Sequence, residues 1–170
     1  MKKVEYIIPF KGLSLGDHRY TYEIDDAFFA DFEHLDADKG FLSLVVDLMV
    51  ESNLLDIKFH FSGYIELRCD RCLDDFRLNV EDDFRLIVKY GEQFEEISEE
   101  VIIIPSSEST IDLSQFIYEY INLMLPIKKV HSENDFSGGK CNKEMINQIN
   151  KYSQHKSDSR WDALKNINID

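Results

Sequence analysis

The sequence predicts an α+β domain, built from an antiparallel, strongly twisted sheet, open or barrel-like, with one amphipathic helix packed on it. Two long runs, 55–69 and 76–90, carry apolar residues at nearly every second position, which is the period of a β-strand with one solvated face. A third run, 113–125, repeats its apolar residues at intervals of three and four, which is the period of an amphipathic helix. Short helices are expected after this run.

The two long strands are predicted to form a hairpin. Before them, the largely apolar run 41–49 predicts a mostly buried strand. The first long strand has its apolar residues at odd positions, namely Leu55, Ile57, Phe59, Phe61, Ile65 and Leu67. The second has them at even positions, namely Phe76, Leu78, Val80, Phe84, Leu86, Val88 and Tyr90. This change of parity fits an antiparallel pair with the turn Cys69–Cys72 at its tip, and Gly63 predicts a β-bulge in the first strand.

The predicted helix has recognisable ends. Asp112 is a typical N-cap residue, and Gln115 three positions later completes a capping-box pattern. Pro126 removes a backbone donor and disfavours helical backbone at Leu125, so the helix is expected to end there. The helix is therefore predicted over 112–125, with its apolar face against the sheet.

One domain is predicted over residues 1–152, followed by a linker and a docking helix in residues 153–170. A length of 170 residues suits a single hydrophobic core. Residues 143–152 predict a short polar helix at the end of the domain, and the polar stretch after them predicts the linker. The docking helix is predicted over 159–167, where three apolar residues follow at intervals of three, namely Trp161, Leu164 and Ile167.

The chain is strongly acidic. Nineteen Lys and Arg residues against 33 Asp and Glu residues give a net charge of −14, which disfavours direct binding to phosphate backbones. The acidic residues concentrate in 74–83 and 92–100. These segments form either solvated faces or an acidic surface that docks a basic protein.

The expected compartment is the cytoplasm. No stretch approaches about 18 consecutive apolar residues, so no membrane span is expected. Glu5 and Pro9 interrupt the N-terminal residues, which argues against a secretory signal peptide. Three cysteines do not suit a disulfide framework, and reduced thiols remain available for a metal.

The spacing of Cys69 and Cys72 is typical of a pair of metal ligands. Two intervening residues let both thiolates converge on one Zn²⁺. Cys141 and His131 supply the other two ligands of the predicted tetrahedral structural site. Three alternatives can replace the histidine, namely Asp70, Asp135 or water. Two other interpretations of the pair stay open: redox chemistry, which favours a cysteine at a helix N-terminus, and two unrelated structural cysteines.

No enzyme is predicted. The segment 138–140 (Gly-Gly-Lys) lacks the first glycine, the Ser or Thr after the lysine and the preceding strand of a phosphate-binding loop. No carboxylate pair lies in an otherwise apolar segment, where burial would shift the pKa of one carboxyl group and suit the pair to acid–base catalysis. The enzyme alternative is a thiol-dependent activity at Cys141 with His131, for which the sequence offers no orienting third group or oxyanion hole.

Three segments carry a resemblance to a known family. Residues 67–76 contain a C-x-R-C centre, residues 111–131 combine I-D-L with L-x-L-P-x-x-x-x-H, and residues 158–167 are similar to D-P-R-x-x-x-L-x-x-L with Ser159 in place of proline. In this order they resemble the YceD family, the large ribosomal RNA subunit accumulation proteins of bacteria, whose later cysteine matches Cys141. Many members of that family carry a second C-x-x-C near the C-terminus, whereas this chain has a single cysteine there.

The resemblance implies a non-enzymatic role in the synthesis, processing or accumulation of large-subunit (23S) ribosomal RNA. The partners it implies are ribosomal or rRNA-processing proteins, with weak or indirect RNA contact and no small-molecule substrate. Four basic residues near the predicted metal are candidates for contact with RNA or a partner, namely Arg68, Arg71, Lys128 and Lys129. The alternative is an acidic adaptor that docks a basic ribosomal protein and has no RNA role of its own.

Overall fold

β-Strands make up about half of the chain that the structure describes. The computed structural model describes residues 6–32, 37, 39–131 and 140–153. The strands are β1 Ile7–Ile8, β2 Gly16–Ile24, β3 Lys39–Val50, β4 Leu54–Arg68, β5 Asp75–Gly91, β6 Glu95–Ser98, β7 Val101–Pro105 and β8 Ile111–Asp112. The helices are α1 Asp26–Ala30, α2 Ser114–Met124 and α3 Lys143–Tyr152, with a 3-10 turn at Phe10–Gly12. The predicted α+β class is confirmed.

Six strands form one sheet in the order β2-β3-β4-β5-β7-β6, and β1 pairs separately with β8. Neighbouring strands are antiparallel except β5 and β7, which run parallel over 87–91 and 101–105. Within the described residues nothing pairs β2 with β6, so the sheet is open and the barrel-like alternative is wrong. β6 is short, exposed along its whole length and rich in glutamate, which are features that keep a strand edge from pairing further.

The β4–β5 hairpin confirms the predicted long antiparallel pair. Its register runs without a break from Leu54 opposite Lys89 to Arg68 opposite Asp75, with the cysteine turn at the tip. The predicted bulge at Gly63 is wrong, because this residue keeps regular pairing with both neighbouring strands. Glycine is required here for a different reason, because its φ is +150° and the backbone of β3 passes too close to leave room for a Cβ atom.

α2 lies on the core face of the sheet. The buried Tyr120 ring stacks on Phe84 of β5 with centroids 4.5 Å apart, and it meets Phe59 and Phe61 of β4 edge-on. Aromatic residues contribute large buried areas, so this cluster fixes α2 over the β4–β5 hairpin.

The predicted N-terminus of α2 is wrong in its detail. The helix begins at Ser114, and Asp112 belongs to β8, from where its carboxylate accepts a hydrogen bond from the Ser114 N–H. The Gln115 side chain donates to Glu119 and so does not form the predicted capping box. The predicted end is confirmed, because Leu125 takes an extended backbone before proline.

The short polar helix predicted over 143–152 is confirmed as α3. Its N-cap is Asn142, whose side chain accepts hydrogen bonds from the N–H groups of Glu144 and Met145. The predicted linker and docking helix lie outside the described residues beyond Ser153, so the division into 1–152 and 153–170 stays a prediction. In the described part of the chain, no helix has the length and apolar character needed to cross a membrane.

Cross-strand ion pairs cover the solvent face of the sheet. Arg85 of β5 binds Asp56 of β4 through two hydrogen bonds of 2.8 Å, and Arg19 of β2 binds Asp47 of β3 at 2.6 and 3.0 Å. The Asp56 side chain is only 17% exposed. The hydrogen bond from Arg85 lowers the pKa of Asp56 below its ordinary value, against the opposing effect of burial.

A lowered folded-state pKa means that Asp56 stabilises the fold at pH values above its unfolded-state pKa and loses this effect as the pH falls through the folded value. We therefore expect Asp56→Asn to lower the melting temperature at pH 7 by roughly 2 °C. The difference from wild type should disappear in a melting series taken to acidic pH. Asp17→Asn, which removes an exposed carboxylate from the same sheet, is the matched control. An equal drop for both variants, or a difference independent of pH, would contradict the assigned role of the ion pair.

Candidate metal centre

The hairpin tip holds its two cysteines in a tight, buried turn. The Cys69 N–H donates to the carbonyl of Asp74 at 3.0 Å, and the Leu73 N–H donates to the carbonyl of Cys69 at 2.9 Å. Leu73 adopts a left-handed backbone, with φ of 63°, which turns the chain back into β5. Cys69 and Cys72 are thereby buried, at 0% and 2% exposure, although they lie at the end of the hairpin.

The segment that follows α2 is attached to this turn by two hydrogen bonds. The Asp70 N–H donates to the Lys129 carbonyl, and the Lys129 N–H donates to the Asp70 carboxylate, both at 2.7 Å. This clamp brings His131, two residues later, next to the cysteines. It also means that Asp70, one of the alternative ligands considered above, is engaged with backbone.

Four side chains meet at this point, namely Cys69, Cys72, His131 and Cys141, and their ligand atoms all lie within 4.8 Å of one another. The Sγ atoms of Cys69 and Cys141 are 3.8 Å apart. Nδ1 of His131 is 3.5 Å from Sγ of both Cys72 and Cys141. In a tetrahedral zinc site with bonds of the usual length, two sulfurs lie about 3.8 Å apart and a sulfur and a nitrogen about 3.5 Å apart. The four side chains therefore have the spacing of such a site.

The electrostatics of the thiols differ from one another. Burial raises the pKa of Cys69, but hydrogen bonds from the backbone N–H groups of Cys72 and Arg71 and from His131 outweigh it, and the pKa falls from 9.0 to about 6. The pKa of Cys141 is raised, by burial first and then by the neighbouring thiols of Cys69 and Cys72. The cluster thus favours a thiolate at Cys69.

His131 is held as part of the cluster. It is 9% exposed, and its ring lies 4.9 Å from that of Phe76, the first buried residue of β5. Its Nδ1 is equally close to Cys72 and Cys141, so the histidine is shared between two thiols. A nucleophilic Cys141–His131 dyad would instead need an imidazole committed to one sulfur and oriented by a third group.

Comparison with known protein families identifies the family of this chain. The family model described as "Large ribosomal RNA subunit accumulation protein YceD" matches residues 57–168. The chain belongs to the YceD family. Comparisons with curated proteins and with solved structures gave no significant match. The stretch matched by the YceD model includes all four clustered side chains, while β2 and β3 lie before it.

Basic residues flank the centre on both chain segments of this YceD-family protein. Arg68 ends β4 and lies 3.8 Å from Asp75, an exposed pair, and Arg71 lies exposed within the turn itself. Lys128 is exposed and Lys129 half-buried in the clamped segment. The Asp70–Lys129 hydrogen bonds therefore bring two arginines and two lysines, distant in sequence, to the same end of the sheet.

Sequence reasoning missed two contributors to the centre. The first is the clamp role of Asp70, since a hydrogen bond to backbone about sixty residues away leaves no periodic signal. The second is Phe76, which looked like an ordinary core residue at the start of its strand. Of the other sequence candidates, Asp135, Gly138 and Gly139 lie outside the described residues.

Proposed function

We propose that this protein is a non-enzymatic factor that supports the accumulation of large-subunit (23S) ribosomal RNA and acts through ribosomal or rRNA-processing proteins. The observation that carries the proposal is the match to the YceD family over residues 57–168, whose description names large ribosomal RNA subunit accumulation. The cluster at the hairpin tip lies inside that match and offers four protein ligands, the composition of a closed structural metal site.

The metal we propose is a structural Zn²⁺ held by Cys69, Cys72, His131 and Cys141. Three sulfurs and one imidazole nitrogen form a donor set that zinc prefers. Such an ion, when bound, supplies positive charge that favours the thiolate form of neighbouring cysteines. In this protein it would join the tip of the β4–β5 hairpin to the segment that follows α2, and so fix the surface that carries the basic residues.

Protein-mediated action fits the charge of the chain better than direct RNA binding does. A net charge of −14 repels phosphate, and the four basic residues near the centre form a small rim within an acidic protein. We propose that this rim makes at most weak RNA contact or touches a partner. The acidic segments 74–83 and 92–100 are exposed along much of their length, which supports a basic protein as partner.

Affinity purification from the source cell, with and without ribonuclease, tests this proposal. We expect ribosomal or rRNA-processing proteins to remain bound after ribonuclease treatment, because the contact is between proteins. A cell lacking the protein should show a reduced ratio of 23S to 16S rRNA, restored by the wild-type gene. Loss of every partner on ribonuclease treatment would contradict protein-mediated action, and an unchanged rRNA ratio would contradict the rRNA role itself.

A charge-reversal variant tests the basic rim separately. Arg71→Glu with Lys128→Glu reverses two exposed charges beside the centre, whereas Lys89→Glu with Lys151→Glu makes the same change in net charge elsewhere. We expect the rim variant to restore the rRNA ratio less well than the control, with both variants folded and metal-loaded. Equal complementation would show that the rim does not contribute.

A further inference from the structure

A second surface feature lies away from the proposed metal centre, at the place where β7 begins beside β5. A cleft of about 630 Å³ opens there between the sheet, the β6–β7 turn and α2. Asp83, Phe84 and Arg85 of β5 form one side, the turn contributes Glu99 and Glu100, and α2 contributes Tyr120 and Leu123. The Glu100 carbonyl accepts the Ile87 N–H at 2.7 Å, which fixes the turn beside the strand.

The charges that line this cleft leave an excess of acid. Four carboxylates face two permanent cations, Lys58 and Arg85. Arg85 is already engaged by Asp56, and Lys58 lies near the carboxylates of Asp47 and Asp56, so both cations face acidic groups of the sheet. The carboxylates of Asp47 and Asp83 are in turn bound by Arg19 and His60. Among the described residues, the side chains of Glu99 and Glu100 have no hydrogen bond or close ion pair, although Glu100 lies near enough to Arg85 to help raise the pKa of the guanidinium.

Tyr120 supplies an independent sign of a ligand. The residue is 5% exposed and lines the cleft, yet its hydroxyl has no hydrogen-bond partner in the described part of the protein. A buried hydroxyl without a partner costs free energy, so its presence needs a reason. Burial, with the charges of Glu119 and Glu100, raises its pKa to about 12, and the hydroxyl therefore stays neutral and can accept or donate a hydrogen bond. Leu123 beside it is 70% exposed and adds an apolar surface.

We propose that this cleft binds an arginine or lysine side chain of a basic protein partner. Glu99 and Glu100 bind the cationic group, the Tyr120 hydroxyl accepts one of its N–H donors, and Leu123 with the edge of Phe84 covers the aliphatic stem. Long cationic side chains combine an apolar stem with a charged end, which matches this arrangement of apolar and acidic surfaces. The proposal names the partner chemistry of the protein-mediated function above and rests on it for its biological setting.

Binding of a fluorescein-labelled peptide of alternating arginine and glycine, measured by anisotropy at low salt, tests the cleft. We expect Glu99→Gln with Glu100→Gln to weaken binding roughly tenfold. Glu92→Gln with Glu95→Gln removes the same charge from the same acidic segment outside the cleft and should change the affinity less than about twofold. Equal weakening by the two variants would show general electrostatic attraction and overturn the proposal. So would equal affinity for a peptide in which citrulline replaces arginine.

Tyr120→Phe separates the hydroxyl from the fold. We expect peptide binding to weaken roughly threefold or more, with the melting temperature unchanged or raised because an unpaired hydroxyl is removed. Unchanged affinity in a folded Tyr120→Phe protein would show that the hydroxyl does not bind the cationic group and would contradict this part of the proposal. The ratio of 23S to 16S rRNA is measured independently of peptide binding. A negative peptide-binding result therefore overturns the cleft proposal without contradicting the proposed function.

Discussion

Replacing Cys72 by serine is expected to abolish metal binding and to lower the melting temperature by roughly 10 °C. Cys72 is 2% exposed and touches Nδ1 of His131, so it lies inside the cluster. Removing one of four ligands opens the proposed site and leaves the buried Cys69 and His131 and the half-buried Cys141 without a shared cation. The clamp between Asp70 and Lys129 and the contact between the His131 and Phe76 rings would then remain between the two segments.

Metal content of protein purified without chelator is the first measurement. Mass spectrometry of the metal should find about one zinc ion per wild-type chain and substoichiometric zinc in Cys72→Ser. Leu73→Ser is the matched control, because it places the same residue type in the same turn at an exposed position outside the cluster. Wild-type protein without metal, or a Cys72→Ser protein that melts like wild type, would contradict the proposed zinc centre.

Local pattern predicted the part of the fold on which this centre stands. The parity change between Leu67 and Phe76 fits one turn between two strands, and the turn with Cys69 and Cys72 is the break in the pattern. Hydrophobic alternation shows which face of each strand is buried. Because both strands of a hairpin bury the same face, the alternation also predicts how they pair. Cys141 and His131 were predicted as the other two ligands because Cys141 is the one further cysteine of the sequence and His131 lies ten residues before it. The structure brings both to the turn.

Other features depend on contacts that no local pattern encodes. The run 101–105 is apolar throughout except for its proline, so periodicity does not identify its partner or its direction, and its parallel pairing with β5 was not predicted. Asp112 is a residue type common at N-caps, but its pairing with Ile7 places it in β8, and the helix begins at Ser114. Gly63 looked like a bulge because glycine marks both bulges and close backbone approaches.

The close approach at Gly63 predicts a large stability effect for a substitution that adds one methyl group. A Cβ at this position would lie 2.2 Å from the Phe41 carbonyl oxygen and 3.0 Å from Cα of Leu42, and both are backbone atoms of β3. The φ of +150° is in addition a conformation that residues with a Cβ rarely adopt. We expect Gly63→Ala to lower the free energy of unfolding by at least about 3 kcal/mol.

Urea denaturation of Gly63→Ala and Gly12→Ala tests this expected loss of stability. A Cβ at Gly12 meets no atom within 4 Å, so the control makes the same chemical change in open space and should stay close to wild type. Because Leu42 pairs with Gly63 in the interior of the β3–β4 ladder, the backbone cannot move aside without breaking hydrogen bonds on both sides. Similar midpoints for the two variants would mean that β3 passes Gly63 at a greater distance. Zinc content should be unchanged in whatever fraction of Gly63→Ala remains folded, which separates this effect from damage to the metal centre.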